Sequence, residues 1–181
     1  MVEWTEHGNL REFYTNNENS FDPKQKLRIS LDIARGSNSL RTFCIVISEA
    51  ENVLITLDNT AKLTKFKLSR SYKADTVNQI QNIGQIRYSA PEIFKRTPGF
   101  KYDNKCEVYS FGILLWEISE EKTPYENLDD FVEITRLVLD RHRESFSENS
   151  QMPGEFKHLA LDEPLFIRLS FNLDQDEFMN N

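Results

Sequence analysis

Two carboxylates and a carboxamide, Glu49, Glu51 and Asn52, stand close together just after the apolar triplet Ile45-Val46-Ile47. A carboxylate acts as a general base only within hydrogen-bond reach of the proton it takes. The plain reading of Glu49 is a solvated loop carboxylate. Thirteen residues beyond Asn52 comes Lys65-Phe66-Lys67. An ammonium has three donors and no lone pair, so it repels a divalent cation rather than ligating it. It can still meet a phosphate as a point charge. Further on, Ser69, Ser71, Tyr72, Thr76 and Tyr88 are candidate phosphoacceptors, with Arg70 and Arg87 near enough in sequence to receive the phosphate. Exposed loops also carry hydroxyls by composition alone. Cys44 and Cys106 lie among apolar residues, as buried reduced thiols do. His7, His142 and His158 share no metal-ligand spacing with them.

The elements that must hold these residues are mostly helical. Leu10, Phe13 and Tyr14 recur at helical spacing after the turn Gly8-Asn9. Asp22-Pro23 is a helix start, and the pattern predicts a helix over about 24–42 with Leu27, Leu31 and Ala34 on one face and Ile33 and Leu40 nearby. Residues 44–47 suggest a strand. Val53-Leu54-Ile55 and Ala61-Lys62-Leu63 flank Asp58-Asn59-Thr60 and predict a hairpin. Residues 66–89 show no sustained period and read as one long loop. Ala90-Pro91-Glu92 opens a short helix. Residues 108–118 are apolar nearly all round, the mark of a helix at the centre of a fold. Residues 128–140 form an amphipathic helix with Phe131, Ile134, Leu137 and Val138 inward, and a last helix lies near 154–162.

At 181 residues the chain is long enough to bury its own core. A net charge of −7 with no basic stripe argues against a nucleic-acid partner. The longest mostly apolar run, 108–116, is too short to span a bilayer, and residues 1–6 resemble no targeting segment. The expectation is a soluble, cytoplasmic protein with no membrane contact.

Four stretches together resemble the C-terminal lobe of protein kinases, in the family's order and at compatible spacing. Glu51-Asn52-Val53-Leu54-Ile55 is similar to the end of the catalytic loop. Lys62 to Arg70 is similar to the strand and DFG motif that follow. Ile86 to Glu92 carries an APE-like Ala90-Pro91-Glu92. Glu107 to Ile118, with Gly112 inside it, resembles the buried central helix. Any one alone is weak; four in order are specific. The flavour is tyrosine-kinase-like. The implied fold is α+β, mainly α: a kinase C-lobe over residues 1–170 with a small β insertion, starting at a hinge-like 1–6 with no N-lobe before it, then a polar acidic tail at 171–181.

The resemblance also implies what is missing. The family uses a catalytic Asp, an Asn and a DFG Asp on Mg²⁺, and a Lys on the phosphates. Asn52 matches the metal-binding Asn and Leu54 the adjoining nucleotide-cleft position. Aligned without a gap, the His-Arg-Asp triplet falls on Ile45, Val46 and Ile47, and with a gap it is deleted; Lys65 replaces the DFG Asp while Phe66 is kept. No catalytic residue is therefore assigned, and the cofactor and metal roles of Asn52, Leu54 and Lys65 are vestigial. The structural marks are better kept. Glu92 matches a glutamate that pairs with an arginine, for which Arg168 is the candidate, and Glu107 stands where the family has Asp. The expected function is a pseudokinase fragment acting through a protein partner, with no cofactor. The alternative is a protein kinase in divergent or incomplete form, which would use ATP and Mg²⁺.

Overall fold

A helix that is apolar on every side can only be stable in the middle of a protein, and α5 (Asn104–Glu120) is that helix. In the computed structural model the described residues are 7–16, 21–40, 49–64, 83–95 and 104–161. The expectations placed on residues 1–6, 44–47, 65–82, 162–170 and 171–181, including Ile45, Val46, Ile47, Lys65, Phe66 and Arg168, lie outside them. From Val108 to Ser119 every residue of α5 is buried, and α2, α3 and α7 pack around it.

The chain enters through α1 (Leu10–Asn16). Asn9 and Glu12 form a capping box: the Asn9 amide donates to Glu12 Oε2 at 2.9 Å and the Glu12 amide to Asn9 Oδ1 at 3.0 Å. Gly8 precedes it at φ +71°, and a Cβ there would sit 2.2 Å from Glu12 Oε2. Helix α2 (Pro23–Leu40) starts the same way, with Asp22 as cap, Pro23 at the first position and Gln25 closing back onto the Asp22 amide.

The buried face of α2 differs from the expected one. Lys26, Ile29, Ser30 and Ile33 point inward, while Leu27 and Leu31 are 40% and 41% exposed. Both stripes have helical spacing, and the choice is made by a cation. Lys26 Nζ donates to the Ser119 carbonyl at 2.7 Å and pairs with Glu121 at 2.7 Å. Its stem is buried and its charge closes the C-terminal end of α5, where unpaired carbonyls collect partial negative charge.

After the 3-10 turn Ala50–Asn52, β1 (Val53–Ile55) and β2 (Ala61–Leu63) pair antiparallel with Val53 opposite Leu63. This is the expected hairpin. Its turn holds Asn59 at φ 55°, a conformation asparagine tolerates. Asp32 on α2 accepts the Ala61 amide at 3.2 Å and ties the hairpin to that helix.

The expected loop over 66–89 ends in a helix instead. Helix α3 (Ile83–Tyr88) buries Gln85, Ile86, Arg87 and Tyr88. It is too short to show a period, and tertiary bonds hold it: Ser110 Oγ on α5 donates to the Tyr88 carbonyl at 2.7 Å. Helix α4 (Pro91–Phe94) follows as expected. Helix α6 (Phe131–Leu139) is capped by Asp130, whose side chain accepts the Val132 amide at 2.9 Å. Ile134 and Val138 are buried and Leu137 half-buried, as expected, but Phe131 is 51% exposed. It occupies the first helical position, before the inward stripe begins.

Helix α7 (Gly154–Leu161) crosses α5 at Gly112. A Cβ at Gly112 would lie 2.7 Å from the Ala160 carbonyl oxygen, a backbone atom that cannot swing aside. Gly112→Ala is therefore expected to destabilise the fold by about 1–3 kcal/mol, the usual cost of overpacking. Urea titration should show a lower midpoint with an unchanged slope, and an unchanged midpoint would contradict this packing.

Candidate functional site

Asn52 is buried at the end of the 3-10 turn. Its amide donates to the Glu49 carbonyl at 2.9 Å and its own carbonyl accepts the Thr64 amide at 2.8 Å. The backbone at Asn52 is thus strapped between the turn and the hairpin. Leu54, half-buried, bridges antiparallel to Asn9, and the Ile55 amide donates to the Gly8 carbonyl at 3.0 Å. These bonds bring Asn52, Leu54 and the turn before α1 to one place. Glu49 is there too. It is buried, which corrects the reading of it as a solvated loop carboxylate. Glu49 is the extended residue that leads directly into the 3-10 turn.

Of the remaining sequence-marked residues, Ala90 and Pro91 are buried where the chain turns from α3 into α4. Glu92 is exposed on α4, and its expected partner Arg168 lies outside the described residues. Glu107 is half-buried in the first turn of α5, where a carboxylate complements the helix dipole. Cys106 is buried and forms no disulfide. Among the described residues no three His, Cys, Asp or Glu side chains are grouped to hold a metal ion. No helix among them is long and apolar enough to cross a membrane.

Behind this region lies a polar cluster centred on Glu117, which is fully buried in α5. Tyr14 Oη donates to Glu117 Oε1 at 2.8 Å, and Arg11 donates to the same oxygen through Nε and Nη2, each at 3.2 Å. Tyr88 Oη donates to Glu117 Oε2 and accepts from Arg11 Nη2 at 2.7 Å. The third Arg11 nitrogen, Nη1, reaches Glu51 Oε1 at 2.9 Å. One guanidinium thereby joins α1, the turn that carries Asn52, α3 and α5.

Burial pushes the Glu117 carboxyl above its ordinary value, and the charge of Arg11 with the bonds from both phenols and Arg11 pulls it back only in part. Burial would lower Arg11, but its electrostatic partners Tyr88, Glu117 and Tyr14 outweigh it, so Arg11 stays protonated. Burial and then Glu117 raise both Tyr14 and Tyr88, which keeps them neutral and donating.

The cluster corrects a second expectation. Tyr88 was a candidate phosphoacceptor, but its hydroxyl is sealed between Arg11 and Glu117. Arg87, its intended receiver of phosphate, is buried and donates to the carbonyls of Pro124 at 2.7 Å and Leu128 at 2.9 Å. Both residues serve packing. Arg11, Tyr14 and Glu117 had no assigned role in the sequence. Glu117 did leave a signal there: it is the one charged residue in the apolar run 108–118, and a lone buried charge requires partners.

Comparison with known proteins places this geometry. A profile of the protein tyrosine and serine/threonine kinase family matches residues 1–162. A probable LIM domain-containing serine/threonine-protein kinase from Dictyostelium discoideum is 36% identical over 162 residues, covering 88% of this chain and 24% of its own length. A second protein of that description from the same organism is 37% identical over 133 residues, covering 72% of this chain and 13% of its own length. A probable serine/threonine-protein kinase from Arabidopsis thaliana is 28% identical over 147 residues, covering 79% and 14%. The chain spans about a quarter or less of the length of these three relatives.

Two measurements test the cluster. Arg11→Ala leaves the buried carboxylate short of its cation and should lower unfolding free energy by about 3–5 kcal/mol, nearer the lower figure because both phenols still donate. Glu51→Gln breaks only the half-exposed side and should change it by less than about 1 kcal/mol. Equal effects would show that Glu117 is not the dominant partner.

The second test is pH. A carboxyl raised in the folded state binds its proton more tightly there than in the unfolded chain, so stability falls as pH rises from the ordinary carboxylate value through the raised one. Urea titrations of the wild type should show that fall, and Glu117→Gln should remove it. Parallel pH profiles would contradict the assignment.

Proposed function

The chain belongs to the protein tyrosine and serine/threonine kinase family, and from that premise we propose that it is a catalytically inactive member, a C-lobe-type domain that serves cytoplasmic signalling by binding a protein partner. The observation that carries this reading is the charge at two places in the sequence. Residues 45–47 are all aliphatic where the family keeps a carboxylate opposite the attacking hydroxyl, and Lys65 stands where an acidic ligand of Mg²⁺ belongs. Phosphoryl transfer is positioning and charge neutralisation, so these two losses remove its main contributions.

The donor set does not fit a divalent metal. Asn52 offers one carboxamide oxygen, whereas Mg²⁺ takes near-octahedral oxygen coordination, held through carboxylates together with phosphates and waters. Lys65 adds a positive charge to that place in the motif. The scaffold is in a different condition: the buried glutamate of the central helix has its full set of donors. A domain that keeps its packing while losing its ligands is suited to recognition rather than turnover.

One observation favours the other reading, an active phosphotransferase. Glu49 is a buried carboxylate one short turn from Asn52, and a buried carboxyl is the kind of group that could be recruited as a base. Incubating the purified chain with labelled ATP, Mg²⁺ and a generic protein substrate separates the two. The expected outcome is no transfer, and no increase in melting temperature when Mg²⁺ is added to ATP. Transfer that Glu49→Gln abolishes while the melting temperature holds would overturn the inactive reading.

A further inference from the structure

Two exposed patches of opposite charge, each with apolar residues at its centre, lie on different helices of this chain. The first is the outer face of α2. Lys24, Leu27, Arg28 and Leu31 follow at steps of three, one and three residues, which aligns them on one side of the helix. The two leucines are 40% and 41% exposed. Lys24 and Arg28 form no ion pair with another described residue. Of the acids along the helix, Asp22 is turned to the Lys24 amide as a cap, and Asp32, one turn beyond Arg28, accepts the Ala61 amide.

The second patch is the start of α6. Phe131 and Val132 are 51% and 68% exposed, and Asp129, Asp130 and Glu133 flank them, all exposed. Arg136 and Asp140, one turn and two turns on, face each other at 3.9 Å and leave the charge of this end acidic. Arg87 approaches Asp129 at 3.8 Å, but that carboxylate's side chain remains fully exposed.

Within one molecule the patches have different neighbours. Helix α2 packs chiefly on β2 and α5, and α6 on α3 and α4. Neither patch is self-complementary: two α2 faces brought together oppose cation to cation, and two α6 starts oppose acid to acid. A two-fold dimer through either patch is therefore disfavoured. The pairing that satisfies charge and covers all four apolar side chains joins the α2 face of one copy to the α6 start of another.

We propose that this chain self-associates head to tail, the basic leucine face of α2 docking on the acidic apolar start of α6 of a second copy. The occupant follows from the complementarity, since both halves are present on one surface. The interface is heterologous, so each copy keeps one patch free and assembly extends beyond two. The proposal goes beyond the loss of catalysis and does not depend on it.

Sedimentation velocity on the full chain over a range of concentrations tests this. The wild type should form species that grow with concentration, and association should weaken roughly tenfold when salt is raised from about 50 to about 500 mM. Two variants give the decisive arm, Arg28→Gln/Leu31→Gln on α2 and Val132→Gln/Glu133→Gln on α6. All four positions are exposed, and circular dichroism checks that each variant folds. Each alone should be monomeric. Mixed together they should form one-to-one dimers and nothing larger, because each retains the patch the other lacks. A monomeric wild type, salt-insensitive aggregation, or a mixture that stays monomeric would each overturn the proposal.

Discussion

A carboxylate taken out of water must be given back its hydrogen bonds, and Glu117 imposes that demand at the centre of this fold. It sits in a helix with no solvent on any side, so its partners have to come from other elements. Two phenols and a guanidinium supply them, from α1 and α3. The arrangement is demanding because each partner is fixed by another: Arg11 holds the Tyr88 oxygen as well as the carboxylate. Burying such a pair is not a large net source of stability, since desolvation offsets most of the attraction. What it does is make misplacement costly. Any register of α1 or α3 that leaves Glu117 short of a donor is penalised by several kcal/mol, so the cluster selects one arrangement of four elements.

That selection explains how the scaffold and the chemistry can part company. The cluster also reaches the turn carrying Asn52, because Arg11 pairs with Glu51, the residue just before it. None of the residues in the cluster needs a nucleotide or a metal to be satisfied. On the proposed reading of the chain as an inactive member, the family's packing persists without the carboxylates for phosphoryl transfer.

The parts that were readable from sequence are those whose signals are local. The hairpin carries its turn residues, α2 carries its cap, α6 its amphipathic period, and α5 an unbroken apolar run. Family motifs supplied Asn52, Gly112 and Ala90-Pro91-Glu92. Most of the misreadings involve polar residues used inside. The α2 face went to Lys26 and Ser30 rather than to Leu27 and Leu31 because an ammonium was needed at the end of α5. Helix α3 was invisible because its six residues owe their shape to Ser110 and Glu117, distant in sequence. Tyr88 looked like a modifiable hydroxyl because residue type says nothing of burial. Phe131 was assigned inward by period, but a period does not say where a helix begins to touch its neighbour.

Lys26 and Arg87 extend the same logic to the cations. Each is buried, and each spends its charge on backbone carbonyls: Lys26 at Ser119, Arg87 at Pro124 and Leu128. These carbonyls lie at the end of α5 or in the loop after it, where helical bonding has run out. The connection from α5 to α6 is thus held from both sides, by α2 and by α3, with no regular structure of its own. That places the start of α6 firmly enough for Phe131 and Val132 to be presented rather than to wander. Interior cations here are structural, whereas Lys24 and Arg28 stand exposed on the outer face of α2. A charge-based reading of the whole chain, at −7, hides this division. Only the burial of individual side chains separates the basic residues that close helices from those that face another surface.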